Sequence, residues 1–377
     1  MTNASCTDAM KYPFQQLQRT HAACIDELKR AAAEVIESGW YLRGSQTAAF
    51  EEELSAALGV SESVATGNGL DALRLILRGY IELGRLKAGD ELIAAANTYI
   101  ATILPASELG LKVRLIDPDE QTMCLNLRAA VRTASGKTCV VAVTHLYGNP
   151  SWDEDAAAEL RQRGIIIMED NAQAIGASWH GQMTGSLGDA SAQSFYPSKN
   201  IGALGDAGAV CSSDSQLIAA VRSLHNYGSD RQYHFKYRGY NSRMDEMQAA
   251  FLRIKLRRLG EVTAMRNRAA AVYNASISHP DIQTPAKLDG CTQVWHQYIL
   301  RSPRRDELME YLRSNGVGTM IHYPIPPHRQ PCYEGMLDGS YPLTDRLATE
   351  VLSIPIADIT EREASEISDI INSFPVY

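Results

Sequence analysis

Residues 138–170 read "TCVVAVTHLYGNPSWDEDAAAELRQRGIIIMED", an apolar run, a helical segment and a second apolar run. Continuous apolar runs predict strands that are buried on both faces, and a helix between two such strands predicts a parallel pair. The same alternation extends along the chain in both directions, through "SVAT", "DELIAAA", "KVRLIDPD", "SAQSF" and "AGAVCSS". The sequence therefore predicts an α/β fold with a large domain built on a seven-stranded, mostly parallel sheet.

The pattern changes in the stretch "SRMDEMQAAFLRIKLRRL". Ser242 followed by Asp245 resembles a capping box at the start of a long helix. Four apolar residues recur at helical spacing and are expected on one face of that helix: Met244, Met247, Phe251 and Ile254. Mixed strand, helix and loop patterns follow. We expect a large domain over residues 1–255 and a smaller C-terminal α/β domain over residues 256–377.

The composition excludes several classes of function. The chain has 377 residues and a net charge of -8, with no basic block to offset it. This charge argues against nucleic acid or an anionic membrane as the main partner. No apolar run reaches the roughly 18 residues that a membrane span needs, and "MTNASCTDAMKYPF" lacks the pattern of a secretory signal. We therefore expect a cytoplasmic protein.

The cysteines and glycines exclude other sites. Seven cysteines are scattered without a C-x-x-C pair, so reduced thiols are expected and no metal site is proposed. They are Cys6, Cys24, Cys124, Cys139, Cys211, Cys291 and Cys332. "GALGDAG" lacks the G-x-G-x-x-G spacing of a dinucleotide site, and "TASGKT" lacks the first glycine of a phosphate-binding P-loop.

Polar residues follow the predicted strands at their carboxyl ends, where parallel sheets bind ligands. Gly67 and Asn68 open a helix directly after "SVAT", a junction suited to phosphate, although a plain turn has the same pattern. Asp170 ends "IIIMED", where a buried carboxylate needs a cationic partner; a helix N-cap is the alternative. Tyr99 in "AANTYIAT" offers a ring for stacking or for the core.

Lys199 stands in "SFYPSKNIGALGDAGAV", between a strand and a glycine-rich turn. A lysine kept out of water has a lowered pKa and can attack carbonyls, whereas most loop lysines are simply solvated. Ser194 precedes it and can bind a phosphate oxygen. Asn241 in "RGYNSRMDEMQAA" is a second candidate for anion binding or for capping. Together, a phosphate cup, a carboxylate, a stacking ring and a lysine are what pyridoxal phosphate requires.

These motifs resemble the DegT/StrS family of nucleotide-sugar aminotransferases, which have the aspartate aminotransferase fold. The resemblance runs from "GWYLRGSQTAAFEEELSAALG" through "MEDNAQAIGA" and "SFYPSKNIGALGDAGAV" to "NSRMDEMQAA" and "HYPIPPHRQ". It implies that pyridoxal 5′-phosphate is the cofactor and passes through the pyridoxamine form. It also implies that Lys199 forms the internal aldimine and moves the proton, while Asp170 meets the pyridine nitrogen.

The resemblance implies the remaining contacts as well. Tyr99 is expected to stack on the ring, and Gln173 to lie near the ring hydroxyl. The phosphate is expected to meet three residues, namely Gly67, Asn68 and Ser194. Asn241 is expected to reach the phosphate of the other subunit, which implies a homodimer with shared active sites.

The substrate is expected to be a nucleotide sugar, with glutamate as the amino donor. "NYGSDRQYHFKYRGYNSR" and "IHYPIPPHRQ" resemble the subgroup that aminates carbon 3 of a dTDP-linked 3-keto-6-deoxyhexose, for amino-deoxysugars of glycans or antibiotics. Candidate substrate residues are Tyr41, Arg43, His322, Tyr323 and His328.

Three alternatives stay open at this point. The first is amination at carbon 4 of a 4-keto sugar, which much of the family performs with the same cofactor residues. The second is a dehydratase, in which a histidine replaces the lysine, so that Lys199 argues against it. The third is a non-catalytic regulator built on the same fold.

Overall fold

A computed structural model describes residues 10–337 and 339–376. The helices are α1 Leu17–Ala22, α2 Ile25–Ser38, α3 Ser45–Leu58, α4 Gly69–Glu82, α5 Leu104–Glu108, α6 Leu127–Thr133, α7 Glu154–Gln162, α8 Ser215–Leu224, α9 Glu246–Arg257, α10 Leu259–Ser276, α11 Arg305–Ser314, α12 Pro342–Glu350 and α13 Glu361–Asn372. The strands are β1 Glu62–Thr66, β2 Glu91–Ala95, β3 Lys112–Ile116, β4 Thr138–Thr144, β5 Ile166–Asp170, β6 Ser178–Trp179, β7 Gln182–Met183, β8 Ala190–Ser194, β9 Gly208–Ser212, β10 Ser229–Arg231, β11 His234–Phe235, β12 Cys291–Thr292, β13 Tyr298–Arg301 and β14 Val351–Ile354.

The main sheet has seven strands in the order β1-β9-β8-β5-β4-β2-β3. β9 is antiparallel to both of its neighbours, and the other pairings are parallel. The predicted seven-stranded, mostly parallel sheet is therefore confirmed, and each of the seven apolar runs supplies one strand. Because β1, β8, β5, β4 and β2 run in one direction, their carboxyl ends meet at one edge.

Alternation along the strands assigns each residue to one face of the sheet. Val140 and Ala142 of β4 pack in the core beneath α4 and α8, whereas Val141 and Val143 pack in the core beneath α6 and α7. In β5 the same rule puts Met168 on the α4 side. Residues two positions further along each strand lie on that side too, since successive side chains point to opposite faces.

A second hydrophobic core lies outside the main sheet. Tyr273 of α10, Leu308 of α11 and Ile367 of α13 pack there around the antiparallel pair β13–β14. Tyr12 also belongs to this core, and its N–H donates to the carbonyl of Gly316 at 2.9 Å. The N-terminal segment is thus attached to the C-terminal part of the chain. The division at residue 255 stays a prediction.

The predicted start of the long helix is wrong. α9 begins at Glu246, and Asp245 stands at its N-cap without a capping side-chain hydrogen bond. Met244 precedes the helix and packs beside α3, while Phe251 and Ile254 pack against α2. The helical spacing is misleading because residues 241–245 are not helical: Asn241 and Asp245 form isolated β-bridges with Asn226 and Leu42. A break at Arg258 then separates α9 from α10.

Two further findings concern the thiols and the helices. The six cysteines in the described part of the chain are free, and Cys6 lies outside that part. Residues 1–9 of the stretch "MTNASCTDAMKYPF" also lie outside it. Within the described residues, no helix combines the length and the apolar composition that crossing a membrane requires.

Candidate active site

The junction between β1 and α4 forms a narrow cradle of main chain. Asn68 caps α4, since its Oδ1 accepts from the N–H of Asp71 at 2.8 Å. A Cβ atom at Gly69 would lie 2.6 Å from the Cβ of Ser194, and one at Gly208 would lie 2.4 Å from the carbonyl carbon of Asn68. Only glycine allows this approach. Because the first N–H groups of a helix lack intrahelical acceptors, the cradle suits an anion such as phosphate.

Ser242 closes the cradle from a distant part of the chain. Its Oγ accepts a hydrogen bond from the N–H of Gly67 at 3.1 Å. The hydroxyl therefore faces the cradle and does not cap α9, contrary to the predicted capping box. Asn241 is exposed, and its main chain pairs with Asn226 in an isolated bridge. Its expected reach into another subunit stays a prediction.

Two adjacent carboxylates end β5 on opposite faces of the sheet. Glu169 is fully buried, and its oxygens accept from the imidazole of His145 at 2.7 Å and from the N–H groups of Gly185 and Gly188 at 2.6 Å. Asp170 accepts from the Thr102 hydroxyl at 2.7 Å. Turns follow it, so it does not cap a helix. Glu169 is thus fully engaged inside the fold, whereas Asp170 lies at the edge where the cradle opens.

Lys199 lies in a turn after β8, and its N–H donates to the carbonyl of Tyr196 at 2.8 Å. Its side chain is mostly withdrawn from solvent, and its Nζ makes no hydrogen bond or ion pair with any described residue. Burial lowers the pKa of Lys199 to about 8, while the negative charge of Asp170 acts in the opposite direction. An unpartnered amine with this pKa is a competent nucleophile near neutral pH.

Aromatic and amide groups lie together near Asp170. The rings of Tyr99 and Tyr323 lie 4.9 Å apart between centroids, and 48% of Tyr99 is exposed. The amide Nε2 of Gln173 donates to the Tyr323 hydroxyl at 2.9 Å, and its Oε1 accepts from the N–H of Tyr147 at 2.6 Å. Burial raises the pKa of Tyr323, and the charges of Tyr99 and Asp170 add to this. The structure thus brings both tyrosines and Gln173 together near Asp170, and their contacts with a cofactor stay predictions.

Burial and the charge of Lys199 lower the pKa of two histidines, His322 and His296. The Nδ1 of His322 lies 2.7 Å from the Ser353 hydroxyl, and burial together with Lys199 lowers the pKa of His322 to about 4. His296 is 6% exposed, and its Nδ1 has no hydrogen-bond partner among the described residues. Burial, and then Lys199, holds the pKa of His296 well below its usual value. Both rings are therefore neutral at physiological pH.

Residues 23–374 match the sequence model of the DegT/DnrJ/EryC1/StrS aminotransferase family. The chain belongs to this family. Its membership confirms the expected family, enzyme class and fold class, and it confirms pyridoxal 5′-phosphate as the cofactor.

Curated relatives match over nearly the whole chain. "Erythromycin biosynthesis sensory transduction protein EryC1" of Saccharopolyspora erythraea is 39% identical over 95% of this chain and 97% of its own length. "dTDP-3-amino-3,6-dideoxy-alpha-D-galactopyranose transaminase" of Aneurinibacillus thermoaerophilus is 38% identical over 94% of this chain and 96% of its own length. Among solved structures, S. venezuelae DesV in complex with a ketimine intermediate is 38% identical, with a TM-score of 0.91, covering 96% of this chain and 97% of that one.

The chemistry of the residues fits the cofactor of this aminotransferase family. The glycine cradle presents N–H groups to a phosphate, and the amine of Lys199 is free to meet an aldehyde. The carboxylate of Asp170 suits a protonated ring nitrogen, and the half-exposed ring of Tyr99 leaves a face for stacking. Because these groups converge on one edge, a single pyridoxal phosphate molecule is able to meet all of them.

Three of the predicted substrate residues are not brought next to Lys199. The side chain of His328 is buried, and its Nε2 lies 2.9 Å from the carboxylate of Asp345. Tyr41 and Arg43 are exposed in the loop before α3. That loop pairs with Asp245, so it lies beside the segment that closes the cradle. His328 therefore has a structural partner in this chain, and the roles of all three in binding a substrate stay predictions.

Sequence reasoning also misses residues that organise the site. Thr102 donates to Asp170, and His296 lies within the field of Lys199. Glu246 accepts from the N–H groups of Gly44 and Thr47, at 2.8 and 2.9 Å, and so caps α3. Only Thr102, the second threonine of "TYIAT", could have been found from the sequence, because it follows Tyr99 by about one helical turn. The contacts of His296 and Glu246 join segments that are far apart in sequence.

Proposed function

We propose that this chain transfers an amino group from glutamate to carbon 3 of a dTDP-linked 3-keto-6-deoxyhexose. The observation that carries the transaminase part is the unpartnered, largely buried amine of Lys199 facing Asp170 beside a phosphate cradle. The position of the amine is supported by the relative named as a dTDP-3-amino-3,6-dideoxy-galactopyranose transaminase, at 38% identity. The product belongs to amino-deoxysugar biosynthesis.

Each residue has a proposed role in this reaction. Bound pyridoxal phosphate supplies an aldehyde that accepts amines and a ring that withdraws electrons. Lys199 would hold the cofactor through that aldehyde, and its amine would move the proton between the amine-bearing carbon of the substrate and the cofactor, for which a pKa of about 8 is well matched. Asp170 holds the ring nitrogen protonated, and Tyr99 packs against the ring. Gln173 contacts the ring hydroxyl.

The remaining proposed contacts concern the phosphate and the sugar. Gly67, Asn68 and Ser194 bind the phosphate, with main-chain N–H groups as the donors at the start of α4. His322 and Tyr323 contact the sugar hydroxyls or the diphosphate. The other proposed sugar contacts are Tyr41, Arg43 and, least supported by its contacts, His328.

We further propose a homodimer in which Asn241 completes the partner's site. Its exposure in the single chain, next to Ser242 in the cradle, supports this role. Mixing inactive Lys199→Ala subunits with inactive Asn241→Ala subunits should restore part of the activity, since some hybrid sites carry both residues. No recovery after verified subunit exchange would contradict the shared site. We also propose a cytoplasmic location and domains divided between residues 255 and 256.

The substrate experiment uses the enzyme loaded with cofactor. It is incubated with glutamate and either dTDP-3-keto-6-deoxyglucose or dTDP-4-keto-6-deoxyglucose, and NMR locates the new amine. We expect consumption of the 3-keto sugar and little reaction of the 4-keto isomer. A clean 4-amino product without reaction of the 3-keto sugar would move the amine to carbon 4 while leaving the cofactor chemistry in place.

A regulator is the second candidate, favoured by the name of the relative called a sensory transduction protein. A regulator need not react with an amino donor. We expect the visible absorbance of the loaded protein to bleach on addition of glutamate and to return with 2-oxoglutarate. An unchanged spectrum with every amino donor tried would favour the regulator.

A further inference from the structure

Three threonine hydroxyls form a chain of hydrogen bonds that ends at the carboxylate of Asp170. Thr102 donates to its Oδ2 at 2.7 Å. The Oγ1 of Thr98 lies 2.7 Å from that of Thr102 and 2.9 Å from that of Thr144. All three side chains are buried, at 0% exposure for Thr102, 1% for Thr98 and 4% for Thr144. Solvent therefore does not compete for these hydroxyls.

The directions of these hydrogen bonds follow from the chemistry of the groups. An ionised carboxylate only accepts, and each hydroxyl has one hydrogen. The hydrogen of Thr102 is therefore committed to Asp170, and its oxygen has to accept from a neighbour. Thr98 is the better donor, because its oxygen lies 2.7 Å away and that of Thr144 lies 3.3 Å away. Thr98 in turn accepts from Thr144, so the donor order is Thr144, Thr98, Thr102, Asp170.

This chain of hydroxyls joins three elements of the fold. Thr144 ends β4 beside Asp170 in the register of β4 and β5, on the same face of the sheet. Thr98 and Thr102 flank the turn that presents Tyr99, and the N–H of Thr102 donates to the carbonyl of Tyr99 at 3.0 Å. The Oδ1 of Asp170 accepts from the N–H of Ala172 at 3.2 Å. With both oxygens held, the plane of the carboxylate is fixed.

We propose that Thr102 is a positioning residue that fixes the Asp170 carboxylate and the Tyr99 turn relative to each other through this chain of threonine hydroxyls. The inference rests on the proposed contact of Asp170 with the cofactor ring. Thr102 itself need not touch the cofactor. Its effect passes through Asp170, and Thr98 and Thr144 act more weakly because they are further along the chain of donors.

The test compares Thr102→Val, which keeps the shape and removes the donor, with Thr102→Ser, which keeps the hydroxyl. The readouts are the affinity for pyridoxal phosphate and the pH midpoint of the visible band of the bound cofactor. We expect Thr102→Val to bind about tenfold more weakly, the usual weight of a hydrogen bond to a charged group. The midpoint should shift as well. Thr102→Ser should stay within about threefold of the wild type.

A double-mutant cycle separates positioning from general damage. If Thr102 acts through Asp170, Thr102→Val should cost little once Asp170 is already Asn. If the losses of cofactor affinity in the two single variants add up in the double variant, the proposal is wrong. It is also wrong if Thr102→Val keeps the wild-type affinity while Asp170→Asn binds the cofactor more weakly. Wild-type affinity of Asp170→Asn would instead overturn the proposed function, and this inference with it. Should Thr102→Val not fold, Thr98→Val must still weaken binding by a smaller factor, and an unchanged affinity would overturn the proposal.

Discussion

Two lysines that are largely withdrawn from solvent, Lys199 and Lys255, differ in their hydrogen-bond partners. Burial lowers the pKa of both Lys199 and Lys255 to about 8. The Nζ of Lys255, in α9, donates to the carbonyl of Gly202 and lies 2.9 Å from the Nε2 of His21. That of Lys199 has no such partner among the described residues. A lowered pKa alone therefore does not distinguish the lysine that we propose to react from one that is structural; the absence of a hydrogen-bond partner does.

The largest difference between the two lysines is expected in the rate of amino transfer. Lys199→Ala should lower the rate of amino transfer by about a thousandfold or more, because both the nucleophile and the proton carrier are lost. Lys255→Met, which removes the other buried amine, should lower it by less than about tenfold. Steady-state rates of the two loaded variants provide the measurement. A Lys255→Met variant as inactive as Lys199→Ala would break the distinction.

The two lysines also show how far sequence can predict this molecule. A strand needs only a local apolar run, so all seven strands, and the residues that end them, follow from the pattern. Lys199 is proposed as a site residue from its own glycine-rich stretch. Lys255 gives no such signal, because its partners, Gly202 and His21, are 53 and 234 residues away in the chain. Ser242 is assigned to the wrong structure for the same reason, since its partner is the distant Gly67.

Selective capture of the cofactor is the second test. Adding pyridoxal phosphate and then borohydride to the cofactor-free protein should leave a pyridoxyl group on Lys199 and none on Lys255, as peptide mass spectrometry would read it. Because the neutral amine reacts, the capture rate should rise as the pH passes through about 8 and level off above it. A rate that still rises above pH 10 would contradict the burial of Lys199, and labelling of both lysines would contradict the role of the partner.

Replacing each lysine should change the free energy of unfolding of the cofactor-free protein differently. The pKa of Lys199 in the folded chain, about 8, lies below its usual 10.5, so the folded state binds fewer protons between these values. Stability therefore rises with pH across this window, and Lys199→Met should stabilise the protein below pH 8 by on the order of 2 kcal/mol, a gain that disappears by about pH 10.5. Denaturant unfolding at pH 7 and pH 10.5 measures the gain.

The matched variant at the second lysine should behave differently. Lys255→Met also removes a buried charge, but it leaves the carbonyl of Gly202 and the ring of His21 without their donor. We expect it to be less stable than Lys199→Met by about 1–3 kcal/mol at pH 7, the cost of buried groups that lose a hydrogen bond. Equal stability of the two variants would show that the partners of Lys255 contribute nothing.

The smallest expected effect concerns His21. Burial, followed by the charge of Lys255, lowers the pKa of His21, so its ring is neutral at pH 7 and accepts from the Lys255 ammonium. His21→Leu removes this acceptor and leaves the carbonyl of Gly202, so we expect a loss of about 1 kcal/mol in the free energy of unfolding. His21→Gln retains an acceptor and should lose less. Lys255 contacts the main chain at Gly202 and not the side chain of Lys199. Neither variant should therefore change the pH midpoint of cofactor capture. A shifted midpoint would show that the bonded lysine sets the reactivity of the free one.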